Sequence, residues 1–557
     1  MRGKTEIFSV FLYEMIARYV VAKLIKHDFT QKDKFCPYSI AYFARKVNIY
    51  SIKYKQKHPK GVICVKKYYI GADLGTSALK LLLVDFDGNV VRTVTESYPL
   101  SFPLPGFCEQ SPENWWSALS RGIRKLVSKE EAPFVRAIGV AGQMHGLVIL
   151  DKNDRVIRPA ILWNDNRSAK ETDYLNTVVG KEKLLEYTGN IAFAGFTAPK
   201  LLWMRENEKE NFEKTDKIML PKDYLTYRLT GVHASDLSDA SGLLLLDCKN
   251  KRYSKEMLGI CALREDQLPR LFESHERIGT LLPEIAEMLG LPEDVAVVAG
   301  AGDNAAAAIG MGCVDKGSCN ISIGTSGTVF VPCEEFSSAA DGAIHAFCHA
   351  SGAYHLMGVA LSAASCNKWF CEDILKTSDY SAEQEDITLD DLGKNHVFFL
   401  PYLMGERSPI NDTDARGTFV GMRMDTARKD MLLAVLEGVA FAFRDSIDII
   451  RDLGVRIEQS TVCGGGSKSA LWCRIIANVL NIDIVIPESE QGPGYGAALL
   501  ALVGAGDSES VSKCSKRFFR AKTVISPEPE LVARYNERYE KFKKIYPAVR
   551  EMYKEIN

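Results

Sequence analysis

Short apolar runs broken by Gly, Asp and Pro organise this chain from residue 68 onward. The runs near 68–74, 79–86 and 89–96 predict an antiparallel meander, with Asp87-Gly88 at one turn. A helix is expected near 112–128, because Ser111-Pro112 suits an N-cap followed by the first helical position. Strands are expected at 136–142 and 146–150, divided by Gln143-Met144-His145-Gly146. Residues 199–290 read as largely helical, with strand-like segments near 232–247. The stretch VAVVAGAGD at 295–303 reads as a buried strand ending at an acid.

The second half repeats this logic. Strands are predicted near 318–324, 327–332 and 355–359, and a long helix over about 429–453, stopped by Gly454. A strand at 460–463 runs into Gly464-Gly465-Gly466, with a helix expected from Ser467. The IDIVIP run predicts another strand, followed by a helix from near Gly496. A meander and then helix–strand alternation, occurring twice, predict a duplicated α/β domain with a cleft between the copies. Residues 68–310 form the expected first domain and 311–557 the second. Residues 1–67 differ: they are rich in Lys, Tyr and Phe, lack strand–turn–strand order, and end at a Pro59-Lys60-Gly61 break.

A length of 557 residues implies about two to four domains. With 46% hydrophobic and 25% charged residues the composition is that of an ordinary globular chain, and a net charge of −2 argues against a nucleic-acid binder. The 14 cysteines include no C-x-x-C pair and sit mostly in apolar stretches, as at Cys313, Cys463 and Cys473, which is the usage of reduced thiols. No run reaches the ~20 apolar residues of a membrane span. The nearest, 7–25, is broken by Glu14, Arg18 and Lys23, and its apolar core is too short for a secretory signal.

Two turns carry candidate chemistry, Gly75-Thr76-Ser77 within IGADLGTSALK and Gly324-Thr325-Ser326 within ISIGTSGT. Backbone N–H groups and small hydroxyls grip phosphates where no large side chain holds the main chain away. Each turn alone reads first as a tight hairpin with Gly where a positive φ is needed; as a pair, with Asp73 at the mouth of the first, they point to one nucleotide held between two domains. The Walker spacing is absent. Asp303 is the candidate general base, able to take a proton from a bound hydroxyl, or else an N-cap for the helix that follows. Asp73 is the candidate Mg²⁺ ligand, since phosphoryl transfer uses a metal held by phosphates and one or two carboxylates, or else it bonds within its own turn. Gly464 and Gly465 leave room for a flat ligand or a phosphate. Gly492-Pro493-Gly494-Tyr495-Gly496 lacks dinucleotide spacing and reads as close packing of a helix on a strand. His345-x-x-Cys348-His349 reads as metal ligands or as core, and Trp115, Trp116 and Trp163 as core or as sugar-facing rings.

With those residues in view, the chain resembles the FGGY carbohydrate kinases from about residue 68 to near 545, and within them the members that phosphorylate xylulose. The motifs that carry the resemblance are IGADLGTS, AGQMHG, LWNDNR, GFTAPKLLWMREN, LPKDYLTYRLTG, SDLSDASG, GAGDNAAAAIG, SIGTSGT, FLPYLMGERSP and CGGGSKS. The resemblance implies an actin-like ATPase (ribonuclease H-like) fold of two α/β domains closing on ATP and sugar. It implies conversion of D-xylulose and ATP to D-xylulose 5-phosphate and ADP, with Asp303 as base. It places sugar at Met144 and His145, with Gln143 and Asn304 beside them. It places ATP at Asp73, Gly75, Thr76, Ser77, Lys80, Gly324, Thr325, Ser326, Gly464 and Gly465, with Mg²⁺ at Asp73. A cytoplasmic enzyme with small-molecule partners follows, with no nucleic-acid or membrane partner and a homodimer among its allowed assemblies. A kinase for another pentulose or a polyol, and a sensor that binds without chemistry, are the alternatives.

The resemblance gives residues 1–67 no counterpart. A mis-assigned start, with Val62 or Val65 read from a non-standard codon, accounts for this; a genuine helix carrying Phe11, Ile16, Tyr19, Val20 and Leu24 on one face is the rival. The expectation is that a chain starting at Val65 keeps full activity. Intact mass of the native protein and the activity of that truncation check it, and a full-length mass together with an inactive truncation would overturn it.

Overall fold

The computed structural model describes residues 66–556. The expectations about residues 1–65 lie outside the described residues. In the first half, strands β1 (Tyr68–Leu74), β2 (Ala78–Asp85) and β3 (Val90–Ser97) form the predicted meander, followed by helix α1 (Pro112–Leu126) and strand β4 (Val135–Gly142). Helix α2 (Pro221–Thr230), strands β5 (Arg277–Thr280), β6 (Ala296–Val298) and β7 (Ala301–Gly302), and helix α3 (Asp303–Gly310) follow. The sheet order is β5-β6-β4-β1-β2-β3, with β7 also on β4. Strands β1, β2 and β3 are antiparallel neighbours, whereas β4 and β6 run parallel to β1.

The second half contains β8 (Gly317–Ile323), β9 (Gly327–Cys333), β10 (His345–Cys348) and β11 (Tyr354–Ala360). After these come α4 (Arg428–Asp452), β12 (Ile457–Cys463), α5 (Ala470–Leu480), β13 (Asp483–Pro487), α6 (Pro493–Gly504), α7 (Val511–Phe518) and β14 (Ala521–Ile525). Its order is β10-β11-β9-β8-β12-β13-β14. Again three antiparallel strands, β11, β9 and β8, lead into two parallel ones, β12 and β13. The same mixed five-strand order in both halves is the actin-like ATPase fold.

Strand periodicity explains why β1 is apolar up to Asp73, since alternate residues enter cores on both faces of the sheet. Tyr68, Ile70, Ala72 and Leu74 join the core beneath α1, with Trp115, Leu119 and Ile123, while Tyr69 faces the opposite core formed by α3, α6 and α7. Helix α6 is apolar on every side, and residues 494–503 are buried on every side. It comes from the second half of the chain but packs on the first sheet. The approach is close: a Cβ at Gly71 would lie 1.9 Å from the Gly494 carbonyl oxygen, and one at Gly139 would lie 2.2 Å from that of Ala497. On its other side, a Cβ at Gly496 would lie 1.8 Å from the Ala306 carbonyl oxygen of α3. The glycine-rich stretch is thus helix packing, as its spacing predicts.

Several local expectations shift. Ser111 stands at the N-cap of α1, but its side chain makes no capping bond. The strand expected at 146–150 is Val148–Leu150, paired with Lys217–Met219 in a separate small sheet. The run 295–303 is split at Gly300, whose φ of +81° turns the chain against Val140. Residues after Gly464 first form a 3₁₀ turn (Gly465–Lys468), so α5 starts at Ala470, capped by Ser469. Helix α6 begins at Pro493, ahead of Gly496, because proline suits the first helical position.

The glycine contacts yield a test. Gly71→Ala and Gly496→Ala should each cost about 3 kcal/mol by overpacking, whereas Gly259→Ala, at an exposed helical position with nothing within 4 Å of its Cβ, should gain about 0.5 kcal/mol. Thermal unfolding of the three variants checks the order; equal midpoints for Gly259→Ala and Gly496→Ala would contradict it.

Candidate active site

Both Gly-Thr-Ser turns close antiparallel hairpins, β1–β2 and β8–β9. In the first, Gly75 donates to the Ala78 carbonyl at 3.1 Å, and the Ser77 carbonyl accepts from the Tyr98 N–H at 3.2 Å. The Thr76 carbonyl accepts from Gln110 Nε2 at 2.9 Å, and the Thr76 hydroxyl accepts from Trp163 Nε1 at 3.1 Å. Trp163 therefore stands over the turn and is 41% exposed, so it is not a core residue; Trp115 and Trp116 are buried. In the second turn, the Gly324 and Thr325 carbonyls accept from the Ala364 and Ala363 N–H groups at 2.7 and 3.0 Å, leaving Thr325 and Ser326 exposed.

Gly464 braces that second turn. Its φ is +87°, a Cβ there would meet the Ile323 carbonyl at 2.7 Å, and its N–H is taken by the Glu490 carboxylate at 3.0 and 3.1 Å. Gly465 is different: nothing lies within 4 Å of its Cβ position. It borders a cavity of about 830 Å³ shared with Gly324, Thr325, Tyr380 and Ser469, a volume in the range of nucleotide-sized ligands.

Asp303 is the first residue of α3, with Gly302 at the N-cap. Its Oδ1 accepts from the Asn304 N–H at 2.7 Å and from Asn304 Nδ2 at 2.9 Å. Asp303 is therefore not the N-cap expected as the alternative: it stands one position inside the helix, with one oxygen held by Asn304 and the other left over. Burial lifts its pKa to about 6, against the two bonds from Asn304. Asp303 and Asn304 line a cavity of about 200 Å³ with Asn320, Ser322, Thr328 and Glu490 from the second half, which places them in the cleft between the halves.

Asp73 ends β1 opposite Lys80, whose Nζ donates to the Gln491 carbonyl at 3.2 Å. A Cβ at Gly494 would lie 3.3 Å from that of Asp73, so the start of α6 stands directly against it. Burial first, then the nearby Asp303 charge, push Asp73 up to about 7, with Lys80 pulling the other way. Among the described residues the Asp73 carboxylate makes no hydrogen bond, and no cluster of three His, Cys, Asp or Glu side chains could hold a metal alone. This donor set fits a hard divalent cation that takes most of its ligands from phosphate and water.

The Gln143–His145 segment follows β4. The Gln143 N–H donates to the Leu74 carbonyl at 2.9 Å, while its buried Oε1 has no partner among the described residues. The Met144 side chain lies beside Gly302 and Gly242, within 3.1 Å of the Cβ position at each. His145 has φ +69° and stacks on Phe196 with ring centroids 4.5 Å apart. Its Nδ1 is 2.8 Å from the Gly242 carbonyl, so Nδ1 carries the hydrogen and Nε2 is left as an acceptor. Burial holds its pKa down to about 3, so the ring stays neutral. His345 stacks on Phe347, and His349 Nε2 pairs with the Cys313 carbonyl at 3.1 Å within the aromatic core beneath.

Sequence reading missed what stands behind Asp303. Lys222 is fully buried and lies 2.6 Å from Asp223, 2.8 Å from Asp236 and 3.8 Å from Asp239. Burial alone would lower its pKa, but the three carboxylates outweigh that and hold it up. Asp236 accepts from Ser238 and Ser274, and the Ser238 hydroxyl accepts from the Gly302 N–H at 3.1 Å. The network thereby fixes the residue just before Asp303. Its sequence signals are the acid-rich SDLSDASG run and the Lys222-Asp223 pair of LPKDYLTYRLTG, which lies on another element, α2.

The models of the N-terminal and C-terminal domains of the FGGY family of carbohydrate kinases match residues 68–310 and 319–505. A xylulose kinase of Escherichia coli is 41% identical over 480 residues, 86% of this chain and 98% of that protein. A crystal structure of a xyloylose kinase from Brucella ovis superposes with a TM-score of 0.83 at 41% identity, covering 87% of this chain and all of the other. A gluconate kinase from Lactobacillus acidophilus reaches the same TM-score at 27% identity, covering 88% and 100%. With both domain models matched in order and the cleft between them lined from both halves, the chain belongs to the FGGY family of carbohydrate kinases.

Proposed function

We propose that this chain transfers the γ-phosphoryl group of ATP to the terminal hydroxyl of D-xylulose, giving D-xylulose 5-phosphate and ADP. The observation that carries the chemistry is Asp303, a carboxylate raised to about 6 by burial, with one oxygen uncommitted and open to the cleft between the two halves. The choice of sugar rests on the Escherichia coli relative named a xylulose kinase and on Gln143-Met144-His145-Gly146 beside Asp303.

In this reading Asp303 takes the proton of the sugar hydroxyl as its oxygen bonds to the γ-phosphorus and the bond to the ADP oxygen breaks. A base with a pKa near 6 is ionised at neutral pH and still basic enough to accept that proton. Neutral His145 offers Nε2 to a sugar hydroxyl, and Met144 and Trp163 present apolar surface to the chain. The two Gly-Thr-Ser turns hold the phosphates, Gly465 faces the adenosine side, and Gly464 keeps the second turn in shape. Kinases of this family use ATP with a divalent metal; Mg²⁺ is the ion proposed, beside Asp73, where it would neutralise phosphate charge. Residues 68–310 would supply the sugar side and 311–557 the adenosine side. Small-molecule substrates alone are needed, in a cytoplasmic enzyme with a homodimer as an allowed assembly; among the described residues no helix is long and apolar enough to cross a membrane.

A coupled ADP-release assay across D-xylulose, D-ribulose, L-xylulose, gluconate and polyols tests the substrate. D-xylulose should show the highest kcat/KM. A clear preference for a polyol or for gluconate would move the assignment to another sugar, and tight binding without phosphorylated product would favour a sensor.

The carboxylates predict the pH profile. With Asp303 at about 6 and Asp73 at about 7, both active in the ionised form, kcat/KM should fall as pH drops through that window, in steps that belong to the pair. Asp303→Asn should lower kcat by about 1,000-fold while sugar binding persists. Near-normal turnover in Asp303→Asn would remove it from the role of base.

A further inference from the structure

Arg407 belongs to the second half of the chain, in the loop after Tyr402. That loop is pinned by the Ser408 N–H on the Val359 carbonyl at 2.9 Å. Glu406 Oε1 accepts from the Leu361 N–H at 2.8 Å and from the Arg407 N–H at 2.7 Å. The Arg407 guanidinium lies 5.3 Å from the ring centroid of Phe193, a residue of the first half. The Phe193 ring is 5.4 Å from Phe196, on which His145 stacks, and 5.0 Å from His345. Arg407 therefore reaches from one half of the chain into the aromatic wall that carries the sugar-side histidine of the other.

Among the described residues this guanidinium has no hydrogen bond and no ion pair. Among the described residues, arginines buried more deeply are treated differently: Arg167 is gripped by Asp165 and Glu109, Arg158 by Glu109 and Glu208, and Arg538 by Glu437. Glu406 does not fill the gap. Its Oε1 is committed to two backbone N–H groups, its Oε2 has no partner, and burial raises its pKa to about 8, so it is largely protonated at neutral pH. Burial also lowers the pKa of Arg407 below its ordinary value. Arg407 is half-buried, so its fork of N–H donors opens onto the space beside this wall with no protein acceptor, where a ligand's oxygens can meet it.

The two groups on this wall are chemically opposite. His145 Nε2 can only accept a hydrogen bond, and the guanidinium can only donate. The end of an open-chain 2-ketose offers the matching pair: a primary hydroxyl that can donate, next to a carbonyl oxygen that can only accept. We propose that Arg407 is a sugar-binding residue that donates to the carbonyl oxygen of the ketose while His145 accepts from the neighbouring hydroxyl. This rests on the reading of His145 as part of the sugar site, and it gives the second half of the chain a direct hold on the non-reacting end of the sugar.

Steady-state kinetics of Arg407→Met and Arg407→Lys, with D-xylulose or whichever ketose the wild type prefers, test the assignment. Loss of a hydrogen bond from a charged donor should raise the KM for the ketose about 10- to 100-fold in Arg407→Met, with the KM for ATP within about twofold of wild type and partial recovery in Arg407→Lys. Thermal unfolding verifies that each variant is folded, and if Arg407→Met is not, the shift in Arg407→Lys decides. A ketose KM unchanged in a folded variant, or an equal rise in the KM for ATP, overturns the role of Arg407 alone. A wild type that turns over no ketose overturns this inference together with the function on which it rests.

Discussion

Everything at the cleft depends on how closely α6 can lie on the first sheet. This helix belongs to the second half of the chain, yet Gly71 and Gly139 let its backbone touch β1 and β4, and Gly496 lets it touch α3. One more carbon at any of these contacts would fall within about 2.2 Å of a carbonyl oxygen. The close fit has a chemical consequence. It sets the start of α6 against Asp73 at the end of β1, and it holds α3, whose first residue is Asp303, on the same face of the sheet. Two carboxylates from distant parts of the sequence become neighbours because three backbones can meet without side chains between them.

Charge is handled by the same economy of space. Carboxylates in the cleft are desolvated enough to be raised into the neutral range, which is what proton transfer at neutral pH requires. Immediately behind them, Lys222 sits among Asp223, Asp236 and Asp239, and Ser238 carries this network to Gly302. A buried cluster of this kind contributes little net stability, because desolvation offsets the attraction between the charges. Its value lies in direction: it fixes the backbone on which Asp303, the base proposed above, is mounted, so that side chain does not have to be ordered when a substrate arrives.

The architecture does not select the sugar. A gluconate kinase shares this fold as closely, by TM-score, as the relative named for xylulose does. Selection has to come from a few side chains, and in the proposed reading from the wall around His145, whose tautomer is set by the Gly242 carbonyl and whose ring plane is set by Phe196. Turns, sheets and phosphate contacts can then be common to many members of one family while the wall differs.

The sequence by itself determined the repeated strand order, the two Gly-Thr-Ser hairpins, the acids at 73 and 303, and the glycine packing near 494. All are local patterns: alternation, turn chemistry and small residues at fixed spacing are written in adjacent positions. The motifs also carried the family. Tertiary structure decided what adjacent positions cannot. It broke the 295–303 run at Gly300, because the chain has to turn against Val140, and it delayed α5 to Ala470, where Ser469 supplies the cap. It brought Trp163 out of the core and over Thr76, gave Gly464 and Gly465 different tasks, and added Asp236 and Asp239 from another segment to the adjacent Lys222-Asp223 pair. Burial, pKa and the presence or absence of a partner depend on which distant segments meet, and that information is not carried by any single stretch of the chain.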